Sequence, residues 1–209
     1  MTILVLIISF GASFVLLLIA MTVHEFAHGL VAYKLGDSTA KLSGRLTLNP
    51  LAHIDPFWTI ILPLVLFIST AGRFVFGAAK PVPVNYWSLK NPKRDMIWIG
   101  LAGPLANFIL AFMIAGILRL IPSSGISASL LFNLLTINVV LAVFNLIPIP
   151  PLDGSKILMG LLPAQLSQWY AGFERYGFII LFVFIWLGIF DRLLWPLVDA
   201  VIRMMGVGF

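Results

Sequence analysis

The sequence predicts an all-α, polytopic transmembrane helical bundle, and three observations carry that expectation. Of the 209 residues, 61% are hydrophobic. Only 10% are charged, against about 25% in a soluble domain. The apolar residues also fall in runs of roughly 20, the length that crosses a hydrocarbon core ~30 Å thick. With a mean hydropathy of +1.07, these features exclude a soluble globular enzyme, a disordered chain and a fibrous protein.

From Thr2 to Tyr33 the only ionisable side chains are His24, Glu25 and His28. As helix this run reaches ~48 Å, more than the membrane core needs. Lys34 and Gly36-Asp37 mark its aqueous end. Phe57–Ala71 is apolar but has only 15 residues and contains Pro63, which suits either a short span or a re-entrant hairpin. Met96–Leu118 makes a 23-residue span that starts just after the basic cluster Lys90, Lys93 and Arg94. Leu130–Ile147 is another span, stopped by Pro148, Pro150 and Pro151. Phe173–Phe190 is a fifth apolar run, and the tail 193–209 is expected to lie along the interface or close the bundle. Thr39–Leu48 and Arg73–Val84 alternate enough to be small cytoplasmic β-hairpins. No repeat or long linker divides the chain, so residues 1–209 are expected to form a single integral-membrane domain. No cleaved leader is expected, because the N-terminal run lacks a basic start and a small-residue cleavage site.

The net charge of +5 comes from 13 Lys and Arg against 8 Asp and Glu. In a membrane protein such an excess marks cytoplasmic loops rather than a nucleic-acid partner. Segments 34–55, 72–95 and 148–175 hold ten of the 13 basic residues. Their placement in the cytoplasm puts the N-terminus outside. It also puts both flanks of Phe57–Ala71 on one side, which favours re-entry. There is no cysteine, so any metal must be held by histidine and carboxylate.

His24-Glu25-Phe26-Ala27-His28 is the sharpest signal. On a helix, residues i and i+4 share a face, so both imidazoles can reach one ion. Glu25 points about 100° away, where it can meet a metal-bound water instead of the metal. Two packing histidines are the plain alternative. Against it, three ionisable groups in one apolar span each cost several kcal/mol unless paired or metal-bound. The histidines lie ~9 to 15 Å from the cytoplasmic end of the helix, inside the bilayer. A zinc site needs a third protein ligand. Asp153 sits in Asn145-Leu-Ile-Pro-Ile-Pro-Pro-Leu-Asp-Gly154, irregular backbone that is tolerated at membrane depth only when buried in protein or lining a cavity. It is either the cap of a following helix or that ligand, and the need for a ligand favours the second. Asn49-Pro-Leu-Ala-His53-Ile-Asp55-Pro56 reads as a turn histidine with a helix cap and start, or as an extra ligand at the cavity mouth.

His24-Glu-Phe-Ala-His28-Gly29, with Asn145…Pro148…Leu152-Asp153-Gly154 and Ala102-Gly-Pro-Leu-Ala-Asn107, resembles the site-2 protease family of intramembrane zinc metalloproteases. The resemblance is to its compact bacterial and archaeal members, which lack a PDZ domain, and it covers three core membrane segments, roughly residues 1–35 and 96–160. It implies a three-helix catalytic core, one zinc ion per chain held by His24, His28 and Asp153, and Glu25 as general base on the zinc-bound water. Asn145 matches an asparagine that assists near the active site. The implied substrates are transmembrane proteins, unwound locally and cut within or beside the bilayer of the cell (inner) membrane, nearer its cytoplasmic face. Strand edges in this family can pair with such a segment, whereas an ordinary hairpin is the plain alternative here. A polar cavity lined by Asn107, Asn145 and the Pro148–Gly154 segment is expected. The rival functions are a membrane metal transporter and an inactive metal-binding homologue. The sequence sets no oligomeric state.

Overall fold

The structure, a computed structural model, describes residues 3–70, 77–122 and 124–207. It is 76% helical, and among the described residues no strand forms. The first apolar run is one continuous helix, α1 (Ile3–Lys34). A one-turn helix, α2 (Thr39–Leu42), follows it. A 3₁₀ turn (Pro50–His53) and a π-helical stretch (Pro56–Ile61) then lead into α3 (Leu62–Ser69). Next come α4 (Pro92–Leu118) and α5 (Ile126–Asn145). After the proline-rich bend the chain forms α6 (Asp153–Leu161), α7 (Ala164–Ala171), α8 (Gly177–Trp186) and α9 (Ile189–Met204).

Three described helices are long and apolar enough to cross a membrane: Ile7–Lys34, Pro92–Leu118 and Ile126–Asn145. The Pro56–Ser69 segment is shorter, ~21 Å at 1.5 Å per residue against a core of ~30 Å. Asp55 starts it by accepting hydrogen bonds from the amides of Phe57 and Trp58, the cap role expected of it. The fifth apolar run is not one helix. At Leu187–Gly188 it bends by 82°, with Gly188 in the left-handed region at φ +66°, so Ile189 and Phe190 belong to α9. That last helix closes the bundle. Leu194, Val198, Ile202 and Met205 pack on Ala111, Ile114 and Ala115 of α4 and on Leu135 and Val139 of α5.

Helix α4 is the hub, touching α1, α5 and α6. Small residues set these close approaches. A Cβ on Gly100 would press on the Asp153 carbonyl at 3.1 Å, and one on Gly160 would meet the carbonyl of Lys93 at 2.8 Å. Glycine on both sides of the α4–α6 crossing thus lets α6 lie against the start of α4, which carries Asp153 to the middle of the bundle.

The hairpin expected at Thr39–Leu48 is replaced by a helical turn. The Asp37 carboxylate accepts from the amide and hydroxyl of Thr39 at 2.9 and 2.5 Å, and the Arg45 amide returns to the Ala40 carbonyl at 2.8 Å. These local bonds win because no neighbouring strand offers a ladder to the alternating residues. Of the second hairpin, residues 73–76 lie outside the described residues. Residues 77–85 form neither helix nor strand, and no strand pairs with them among the described residues. The amides of Ala78, Lys80 and Val82 turn inward to the Trp58 carbonyl, the His53 carbonyl and the Glu25 carboxylate. Pro81 and Pro83 have no amide hydrogen to offer.

Candidate metal centre and the cavities beside it

Helix α1 places His24 and His28 one turn apart, so both rings leave the same face toward α4. Each ring is held at Nδ1. His24 Nδ1–H donates to Asn107 Oδ1 at 2.6 Å, and His28 Nδ1–H donates to the Ile99 carbonyl at 2.6 Å. In the neutral tautomers compatible with those bonds, both Nε2 atoms present lone pairs. The two Nε2 atoms lie 3.0 Å apart, and each lies 3.0 Å from Oδ2 of Asp153. All three residues are buried, at 5–6% exposure.

Three lone-pair atoms at such spacing repel one another in a site shielded from water. A proton can bridge one edge of the triangle, whereas a divalent cation serves all three. Ligands around a tetrahedral zinc with bonds of ~2.05 Å stand about 3.3 Å apart, so the donor set fits that ion with little movement. Among the described residues, His24, His28 and Asp153 form the one group with this potential. Gly103 completes the cradle: a Cβ there would lie 2.6 Å from Cε1 and Nε2 of His24, and closer still to Nε2 of His28.

Asp153 is the first residue of α6 and makes no side-chain cap. Its Oδ1 accepts from Lys156 Nζ at 2.9 Å, one turn further along that helix, so Oδ2 alone faces the imidazoles. Burial by itself would lower the Lys156 pKa, but the adjacent Asp153 carboxylate outweighs it and holds the ammonium above its ordinary range. A Cβ on Gly154 would meet the Ile147 carbonyl at 2.5 Å, so the proline-rich bend folds tightly over the start of α6.

Glu25 lies outside the triangle. Its Oε2 accepts from the Val82 amide at 2.8 Å. It lines a polar cavity of about 120 Å³ together with His24, His28, Asn145, Asp153, Lys156 and the Pro81–Val84 segment, enough for several waters. An apolar cavity of about 380 Å³ adjoins it, also reaching His24, Glu25 and Asn145 and walled by Met21, Trp58, Phe144, Phe178 and Leu181. Trp58 and Phe178 stack with centroids 5.4 Å apart, which ties the Pro56–Ile61 stretch to α8 across that cavity.

Asn145 stands on the wall of both cavities, as expected, with Nδ2 donating to the Leu141 carbonyl at 3.0 Å. Asn107 does not line the polar cavity. It is fully buried behind His24, because its amide is used up in holding the ring and in donating to the Ala20 carbonyl and to Asn138. His53 stays out of the triangle, and its Nε2–H donates to the Thr47 carbonyl at 2.9 Å. Two contributors, Asn138 and Lys156, carried no assigned role in the sequence reading. Their signals were the middle one of three asparagines in the apolar run of α5 and a cation three residues after the candidate ligand.

The model of peptidase family M50 matches residues 12–133 and 121–188. The chain is 40% identical over 193 residues to "Putative zinc metalloprotease YwhC" of Bacillus subtilis, covering 88% of this chain and 84% of that protein. It is 33% identical over 168 residues to "Putative zinc metalloprotease Rip2" of Mycolicibacterium smegmatis, covering 79% of this chain and 63% of that longer protein. It is 28% identical over 149 residues to "Zinc metalloprotease MJ0392" of Methanocaldococcus jannaschii, of which it spans 34%. No solved structure matches it.

Proposed function

Because the chain belongs to peptidase family M50, we propose that it is an intramembrane zinc metalloprotease, one domain over residues 1–209, that hydrolyses peptide bonds of transmembrane proteins. One observation carries the reading. Two imidazole Nε2 atoms and a carboxylate oxygen converge at 3.0 Å, with a second carboxylate, Glu25, on the wall of the adjoining polar cavity.

His24 and His28 through Nε2, and Asp153 through Oδ2, would hold one zinc ion. When bound, it would supply a lowered water pKa, toward ~7, and Lewis acidity toward the scissile carbonyl. Glu25 accepts the proton of the attacking water and later delivers it to the leaving amine. The Val82 amide holds its Oε2, which leaves Oε1 as the proton-accepting atom. Asn145 has one amide hydrogen on the Leu141 carbonyl and aims the other at the substrate carbonyl. The apolar cavity beside Glu25 takes an apolar side chain of a locally unwound membrane segment. Helical amides are hydrogen-bonded and shielded, so helix-breaking residues are expected near the cut. A site toward the cytoplasmic face of the cell membrane is the orientation supported by the distribution of basic residues.

The test is Glu25→Gln in full-length protein. Zinc content should stay at one ion per chain, while cleavage of a model membrane peptide falls by about 10²–10⁴-fold. Membrane fractions of cells carrying the variant should accumulate uncut substrates. Undiminished cleavage by the Glu25→Gln protein refutes the mechanism, and zinc transport by both forms without cleavage by either replaces it with a transporter.

A further inference from the structure

Behind His24 runs a buried file of side-chain amides whose direction is set from its far end. Asn138, in the middle of α5 and fully buried, donates from Nδ2 to the Leu134 carbonyl at 2.8 Å. That bond leaves its Oδ1 as the acceptor facing α4, where it receives Asn107 Nδ2 at 2.7 Å. Asn107 gives its other amide hydrogen to the Ala20 carbonyl at 3.1 Å. Its Oδ1 is therefore the atom left for His24 Nδ1, at 2.6 Å. The file runs in one direction: carbonyl of Leu134, amide of Asn138, amide of Asn107, imidazole of His24.

We infer that Asn138 is a positioning residue that locks the tautomer of His24 at a distance. A primary amide can flip, and its two ends have opposite hydrogen-bonding character. With Asn107 flipped, an NH₂ would face Nδ1 of His24, which would then have to accept. The proton would move to Nε2, and the lone pair aimed at His28 and Asp153 would be lost. Asn138 Oδ1 and the Ala20 carbonyl together block the flip, because a flipped Asn107 would turn its own oxygen on both of these acceptors in a dry interior. Residue 138 touches no candidate ligand, yet it supplies one of the two acceptors that keep Asn107, and through it His24, in the ligating orientation. The inference rests on the metal-centre reading above.

The test measures zinc affinity by chelator competition on purified full-length protein, together with the visible absorption of the cobalt-substituted form. Asn138→Leu removes the acceptor at similar volume, and Asn138→Ala removes it without adding bulk. Both should bind zinc about 10-fold more weakly, the low end of what losing the hydrogen-bond support of a ligating histidine costs, because the Ala20 carbonyl still receives Asn107. Asn138→Asp keeps an acceptor for Asn107 but gives up the bond to the Leu134 carbonyl, so in folded protein its affinity should exceed that of Asn138→Leu without reaching the native value. The decisive form is Asn107→Asp combined with Asn138→Leu. A carboxylate offers His24 an oxygen whichever way it is turned, so affinity and the cobalt spectrum should return. Native affinity in folded Asn138→Leu and Asn138→Ala proteins overturns the lock, as does a loss that adding Asn107→Asp fails to restore. A native protein that binds no zinc refutes the metal centre itself and the lock with it, a result readily told apart from the other two.

Discussion

Gly103→Ala is the smallest change that should empty the centre. The added Cβ would sit 2.6 Å from two atoms of the His24 ring, where ordinary contacts are ~3.5–4.0 Å. The rings must therefore retreat by roughly 1 Å, and three donors now 3.0 Å apart cannot all follow. Overpacking costs about 1–3 kcal/mol. Alanine returns up to about 1 kcal/mol through its better helix propensity. The net is a loss of about 0–3 kcal/mol, or up to roughly 12 °C in Tm for a chain of this size. Zinc should suffer more: disturbing only the support of a ligand costs 10–100-fold, so displacing two ligands should cost at least about 100-fold. Gly116→Ala on the same helix is the control, since its Cβ meets nothing within 4 Å. It should leave affinity unchanged and hold or raise Tm. Chelator competition and thermal scans of both proteins in detergent decide the matter. A folded Gly103→Ala protein that holds one zinc with native affinity would falsify the cradle.

Lys156→Met should lower zinc affinity about 10–100-fold by freeing Oδ1 of Asp153, whereas Lys156→Arg, which keeps a donor to that oxygen, should lose far less. Asp37 gives a pH-dependent expectation. Burial would raise its carboxyl pKa, but hydrogen bonds from the Thr39 hydroxyl and amide and from the Asn85 amide more than reverse this and lower it. The clasp between the end of α1 and the 77–85 segment is then fully present above the ordinary carboxylate range, near pH ~4. It weakens as pH falls through the lower folded value. Proteolysis of that segment measured from pH 5 downward should show the loss, and Asp37→Asn should abolish the pH dependence while weakening the clasp at every pH.

The chemically loaded positions were legible in the linear chain to an unusual degree because they obey local rules. An i, i+4 pair of imidazoles shares a helix face wherever that helix goes, whereas the spacing of Asp153 after the proline run left helix cap and ligand both open, and the need for a third ligand and the family resemblance favoured the second. The length of α1, the spans of α4 and α5, and the cap at Asp55 likewise follow from periodicity, hydropathy and turn chemistry within a few residues of one another. The expected hairpins failed for the complementary reason. Alternation becomes a strand only when a partner lies alongside, and Asp37 and Pro81–Pro83 settle those backbones locally in another way.

Composition and local pattern therefore account for the membrane class, the spans, and the choice of His24, Glu25, His28 and Asp153 as the candidate site. Packing of the bundle supplied everything that joins them: Gly103 leaves room for both rings, Asn138 and Asn107 orient one of them, Lys156 turns the Asp153 carboxylate, and the Val82 amide holds Glu25. Those contacts join residues as far apart as α1 and α6. No local pattern encodes them, since they depend on how closely glycine and alanine allow α4 to approach its neighbours.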